Sequence, residues 1–131
     1  MNYLLDTHTL IWAMIDKDKL SALVRDTLEE PSNSIFVSAV TLWEISLKFS
    51  LGKLNLYGIS PDEIPLAVVE MDFEMMPLNT TEASTYHNLN TLHHRDPFDR
   101  MLIWQAIHNN LVFISKDAKM QAYYSQGLRL L

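Results

Sequence analysis

The chain has 131 residues, 48% of them apolar and 20% charged, with no cysteine and a formal charge of −6. That length supports one core in a single domain (1–131). The apolar content excludes a disordered chain, and the missing thiols exclude a disulfide framework and thiolate-bound metal. The acidic balance excludes passive counter-ion-release binding to nucleic acid, but not an enzyme that cuts it, because a bound dication inverts the field of clustered acids.

In chain order, MNYLLDTHTL lacks a basic leader and its apolar run breaks at Asp6, so it reads as neither signal peptide nor membrane span. The other apolar runs are also too short for a bilayer, and a soluble cytoplasmic protein is expected. Residues 2–5 form a buried strand, and Leu10, Ile11, Met14 and Ile15 follow at helical spacing. A short helix is predicted over 19–29, a turn at Pro31-Ser-Asn, a β-branched strand over 34–38, and a helix over 40–51 stopped by Gly52. Ser60-Pro-Asp-Glu63 is a capping box that predicts a helix over 61–72. A strand over 73–78 follows, and the same box logic at Asn79–Glu82 starts another helix. Asp96-Pro-Phe-Asp99 opens a helix to about Asn110. LVFIS (111–115) is a strand, 118–125 a helix, and LRLL an edge strand. Strands separated by helices predict an α/β fold: a mostly parallel sheet of four to five strands with helices on both faces. Ligands of such sheets sit beyond the carboxyl ends of the strands, where Asp6 and Asp117 fall.

Four carboxylates stand where apolar segments meet loops or helices: Asp6, Glu44, Asp99 and Asp117. Each has a bland alternative. Asp6 and Asp117 are placed to cap helices, and Glu44 to pair with Lys48 at i+4 on a solvated face. Asp96 suits an N-cap ahead of Pro97, with Asp99 at the third position complementing the helix dipole. The joint case differs, because a parallel sheet brings these separate elements to one edge, and like charges gathered there call for a cation. Oxygen donors without histidine or cysteine at metal spacing favour Mg²⁺ or Mn²⁺ over zinc. His93-His94 lacks matched partners, and His8, His87 and His108 are scattered.

The strings LLDTHTLIWA, SAVTLWEIS, HHRDPFDRMLIWQA and FISKDAKM, in this order along essentially the whole chain, resemble a PIN domain. More narrowly they resemble the VapC-type ribonuclease toxins of bacterial toxin–antitoxin pairs. The resemblance implies an endoribonuclease whose Asp6, Glu44, Asp99 and Asp117 bind Mg²⁺ or Mn²⁺. DPFDR offers two aspartates for the third acid. Asp99 is preferred because RMLIWQA after it matches the family's run, which leaves Asp96 as a cap or supporting group. Thr7 and Ser115 look like the small hydroxyls that support such acids. Trp104, where the family often has alanine, is a departure.

Metal-assisted hydrolysis needs no nucleophilic side chain, and Glu44 is a candidate either to ligate or to accept a proton from water. Lys48, Arg95, Arg100, Lys116 and Lys119 are the candidate phosphate contacts, and single-stranded or looped RNA is the expected substrate. Leu10–Ile15 and Met101–Trp104 are apolar on more than one helical face, which a large core or an interface explains equally. The resemblance implies a homodimer and an antitoxin peptide over the active-site groove. Two rivals stand beside this reading. One is an aspartyl-nucleophile phosphatase, against which His8 occupies the position two after Asp6 where a second acid is usual. The other is a degenerate PIN-like module that binds RNA or a partner without cleavage.

Overall fold

In a computed structural model of the protein, which describes residues 1–90 and 96–131, five strands among the described residues form one all-parallel sheet. The strands are β1 (Asn2–Leu5), β2 (Ser34–Ser38), β3 (Glu74–Met76), β4 (Val112–Ile114) and β5 (Arg129–Leu130), in the order β3-β2-β1-β4-β5. β1 is central, with Tyr3 in register with Ile35 on one side and Val112 on the other. The helices are α1 (Thr7–Ile15), α2 (Ala22–Glu29), α3 (Ala39–Ser50), α4 (Ile64–Glu70), α5 (Thr80–Thr85) and α6 (Pro97–His108).

Strand side chains alternate between faces, so each central strand feeds two cores. Tyr3, Leu5, Ile35, Val37, Val112 and Ile114 bury against Leu10, Ile45, Ile64 and Val68. Leu4 and Phe113 point the other way, onto Leu102, Ile103, Ala106, Met120 and Tyr123. Sheets covered on both faces read as unbroken apolar runs, which YLL and VFI are. The cores also absorb the two apolar helices: Ile11, Met14 and Ile15 pack on the first, and Met101, Trp104 and Ile107 on the second. The Trp104 indole N–H donates to Thr85 Oγ1 at 3.1 Å, so this residue fastens α6 to α5.

Several expected boundaries move. The helix expected from residue 19 begins at Ala22, because Ser21 is its cap and accepts from Val24 N. Residues Lys17–Lys19 form a separate 3₁₀ turn. The first turn after Ser60 is 3₁₀ (Pro61–Glu63), with Glu63 accepting from Ser60 N, and α4 ends at Glu70. The strand expected over 73–78 pairs only at 74–76, and α6 ends at His108. The helix expected over 118–125 is 3₁₀ throughout (Ala118–Gln126) and closes on Gly127, whose φ of +100° favours a residue without Cβ. Among the described residues, no helix is long and apolar enough to cross a membrane.

Candidate functional site

Asp6 ends β1, and its backbone N–H continues the sheet by donating to Ile114 O of β4 at 3.0 Å. It is only 6% exposed, and one carboxylate oxygen caps α1 by accepting from Thr9 N at 2.8 Å. Capping accounts for that one oxygen, Oδ1. The next residue, Thr7, donates its hydroxyl to Glu44 Oε1 at 2.6 Å and lies 3.4 Å from Thr41 Oγ1. Sequence neighbours at the end of β1 therefore meet α3 side on.

Glu44 is 2% exposed, so the solvated face of the bland alternative is not where it lies. The pairing itself is present: Lys48 Nζ donates to Glu44 Oε2. Both carboxylate oxygens are thus engaged, one by a buried hydroxyl and one by an ammonium that is 37% exposed. Partial burial pulls the Lys48 pKa down, but the hydrogen bond and charge of Glu44, with the charges of Asp96 and Asp99, hold it above the ordinary lysine value. The start of α6 therefore faces the same ammonium as Glu44.

Asp96 caps α6 as expected, Oδ1 accepting from Phe98 N at 2.9 Å and Asp99 N at 3.2 Å. Asp99 is half-buried at the third position of the first turn. Asp117 is exposed just beyond β4, where its carboxylate accepts from Lys119 N at 2.9 Å. Ser115 Oγ accepts from Asp117 N at 3.1 Å, so this hydroxyl shapes the loop that carries the acid. Glu44 is joined to Thr7 and Lys48, the charges of Asp96 and Asp99 act on the same ammonium, Asp6 precedes Thr7 in the chain, and Asp117 follows the strand adjacent to β1.

The candidate cations divide sharply. Arg100 is used up within the fold: Nε donates to Tyr86 Oη and Nη2 to Leu89 O, both at 2.9 Å, and its guanidinium stands over the Tyr86 ring. Lys116 is exposed over the Trp12 ring and donates to Lys19 O at 2.6 Å. Lys119 is exposed. Arg95, with His93 and His94, lies outside the described residues. Lys48 alone of the described candidates bonds an acid of the site.

Among the described residues, no three acidic or histidine side chains are gathered tightly enough to hold an ion. The chemistry of the donor set nonetheless fits a hard dication. It offers carboxylate oxygens only, on strand ends and helix starts, and a cation (the Lys48 ammonium) already sits against the most buried of them. A cleft of about 500 Å³, lined by Ala13, Lys17, Arg25, Asn33 and Asp72 among others, opens at the amino end of β2 and contains none of these acids. A small apolar hollow of about 170 Å³ lies beside them, between Val40 and Trp43 of α3 and Phe98 and Met101 of α6.

Sequence reasoning missed a second buried glutamate, Glu82, and the amide that meets it, Gln105. Gln105 Nε2 donates to Glu82 Oε1 at 2.9 Å, and the Gln105 side-chain oxygen accepts from Ser38 Oγ at 2.5 Å, at the base of α3. The only signal was a polar residue inside the apolar run of α6.

The PIN domain family model matches residues 3–125, and the chain belongs to that family. No curated protein matches it. Its fold is similar to that in VapBC2 from Rickettsia felis bound to a promoter DNA fragment (20% identity, TM-score 0.73). VapBC-1 from nontypeable Haemophilus influenzae (21%, 0.70) and DNA-bound VapBC from Salmonella typhimurium (21%, 0.67) are also similar. In each case the alignment covers 100% of this chain and 97–98% of the other.

Proposed function

We propose that this PIN-domain protein is a divalent-metal-dependent endoribonuclease and the toxin of a toxin–antitoxin pair. The observation that carries the reading is the buried Glu44 carboxylate, tied by Thr7 to the end of the strand that leads into Asp6 and paired with an ammonium on which the charges of Asp96 and Asp99 also act. Membership of the PIN family and a fold shared end to end with VapBC proteins support it. Asp6, Glu44, Asp99 and Asp117 would hold Mg²⁺ or Mn²⁺. When bound, the ion supplies the positive charge that phosphodiester hydrolysis needs at its attacking and leaving oxygens.

The chain's own residues do the positioning. Thr7 fixes the Glu44 carboxylate, so that Glu44 either ligates or takes a proton from the attacking water. The cap to Thr9 N orients Asp6, and the bond from Asp117 N to Ser115 steadies the loop after β4. Trp43 (63% exposed), Leu47 and Leu51 form an exposed i, i+4, i+8 stripe along α3 beside the acids, which suits an apolar antitoxin segment. RNA is the proposed substrate, and a homodimer the proposed assembly.

The test is cleavage of single-stranded RNA with Mg²⁺ or Mn²⁺, with chelator, and with Asp6→Asn. Cuts are expected that vanish with chelator. Asp6→Asn should cost more than the roughly 10–100-fold typical of groups that only support a metal ligand. Cleavage that persists in Asp6→Asn overturns the site. One observation favours a second reading, a partner- or RNA-binding module without cleavage: Lys48 already neutralises Glu44. RNA retention without metal-dependent cuts would establish it.

A further inference from the structure

A buried carboxylate needs a partner, and the usual partner at a metal site is the metal itself, so that binding energy becomes folding energy. This fold supplies its own. Glu44 lies one helical turn before Lys48 on α3, the orientation in which an i, i+4 acid–base pair is favourable. The ammonium bonds Oε2 while Thr7 bonds Oε1, so each oxygen of Glu44 already has a partner within the fold. A dication brought to Oε2 of Glu44 would meet the ammonium's positive charge at contact distance, and two cations at one oxygen repel.

Building on the metal-dependent reading above, we propose that Lys48 is a resident counter-ion of the acid edge: its ammonium holds Glu44 in the metal-free protein, and a divalent ion must displace it to use that carboxylate. Three observations carry this. Glu44 is the most buried of the four acids, and its second oxygen is held by a side chain with a solvent-facing escape route. The charges of Asp96 and Asp99 also act on this ammonium and favour its charged form. Thr7 holds the other oxygen at 2.6 Å within the interior, so the oxygen on the ammonium is the one whose partner can leave. Lys48 is thus a positioning residue that sets how much divalent ion the site requires.

The experiment is Mn²⁺ binding followed by the loss of the free-ion magnetic resonance signal, on the full chain as native protein, Lys48→Met, Lys48→Arg and Asp6→Asn. Lys48→Met is expected to bind Mn²⁺ up to about fivefold more tightly than native, the gain set by loss of a partly exposed ion pair. Lys48→Arg keeps the charge and is expected to bind as native, while Asp6→Asn loses binding. Should Lys48→Met not fold, Lys48→Gln keeps a hydrogen-bond donor without the charge and is expected to show the same gain. Mn²⁺ affinity unchanged or weaker in the uncharged variants, with native binding intact, overturns this inference alone. Absence of Mn²⁺ binding in native and uncharged variants alike overturns the metal-dependent reading, and this inference with it.

Discussion

Two buried glutamates, Glu44 on α3 and Glu82 on α5, are nearly equal in exposure at 2% and 1%, yet they are satisfied by different chemistry. Glu82 is held by neutral donors: Asn79 N at 3.1 Å, Gln105 Nε2 at 2.9 Å and Asn109 Nδ2 at 2.5 Å. Each donor belongs to a helix or its cap, so the carboxylate welds α5 to α6 and has nowhere to go. Glu44 is held by one hydroxyl and one mobile ammonium. Amides cannot be exchanged for an ion without unpacking the helices, whereas a lysine can swing into water. Depth of burial therefore does not separate a structural acid from one proposed to serve a site. The exchangeability of the partner does.

Making the same change at both positions is the most direct way to break this contrast. Glu82→Gln puts an amide N–H against Gln105 or Asn109 donors and is expected to lower stability by about 3 kcal/mol, read as a fall in the urea midpoint. RNA cleavage by the folded fraction should be kept, since Glu82 lies outside the acid edge. Thr7→Val leaves Glu44 Oε1 unsatisfied in the interior. A loss of about 1–2 kcal/mol is expected by denaturation, together with a fall of roughly 10–100-fold in cleavage. Glu44→Gln is expected to have the smallest effect on stability, about 1 kcal/mol or less, because Thr7 keeps an acceptor and Lys48 is released to solvent. Its cleavage should nonetheless be lost. Equal stability losses for the two Glu→Gln variants would break the contrast.

The strands were legible because β1, β2 and β4 are short apolar runs bounded by turns, and their alternation divides Tyr3 and Leu5 from Leu4. Asn79–Glu82 and Asp96-Pro97 declared their helix starts through capping chemistry that the structure reproduces. The 3₁₀ character of residues 118–126 was not legible, because both helix types share Asp117 as a cap and the same apolar spacing. For the proposed site, the rule that parallel sheets carry ligands at their carboxyl ends singled out Asp6 and Asp117, and the structure has both just beyond strand ends. The bond between Thr7 and Glu44, residues 37 apart in the chain, depends on how α3 crosses the end of β1, which no local pattern encodes. Glu82 was hidden for a related reason. A capping box announces a surface turn, and only the packing of α6 over it makes it interior.

The sheet's outermost strands are stubs, three residues at β3 and two at β5. Each border leaves little backbone with free N–H and C=O groups, so a neighbouring chain finds almost no ladder to extend and amyloid-like stacking has no template. The homodimer proposed above would then run through helices, and its symmetry axis would be sought there.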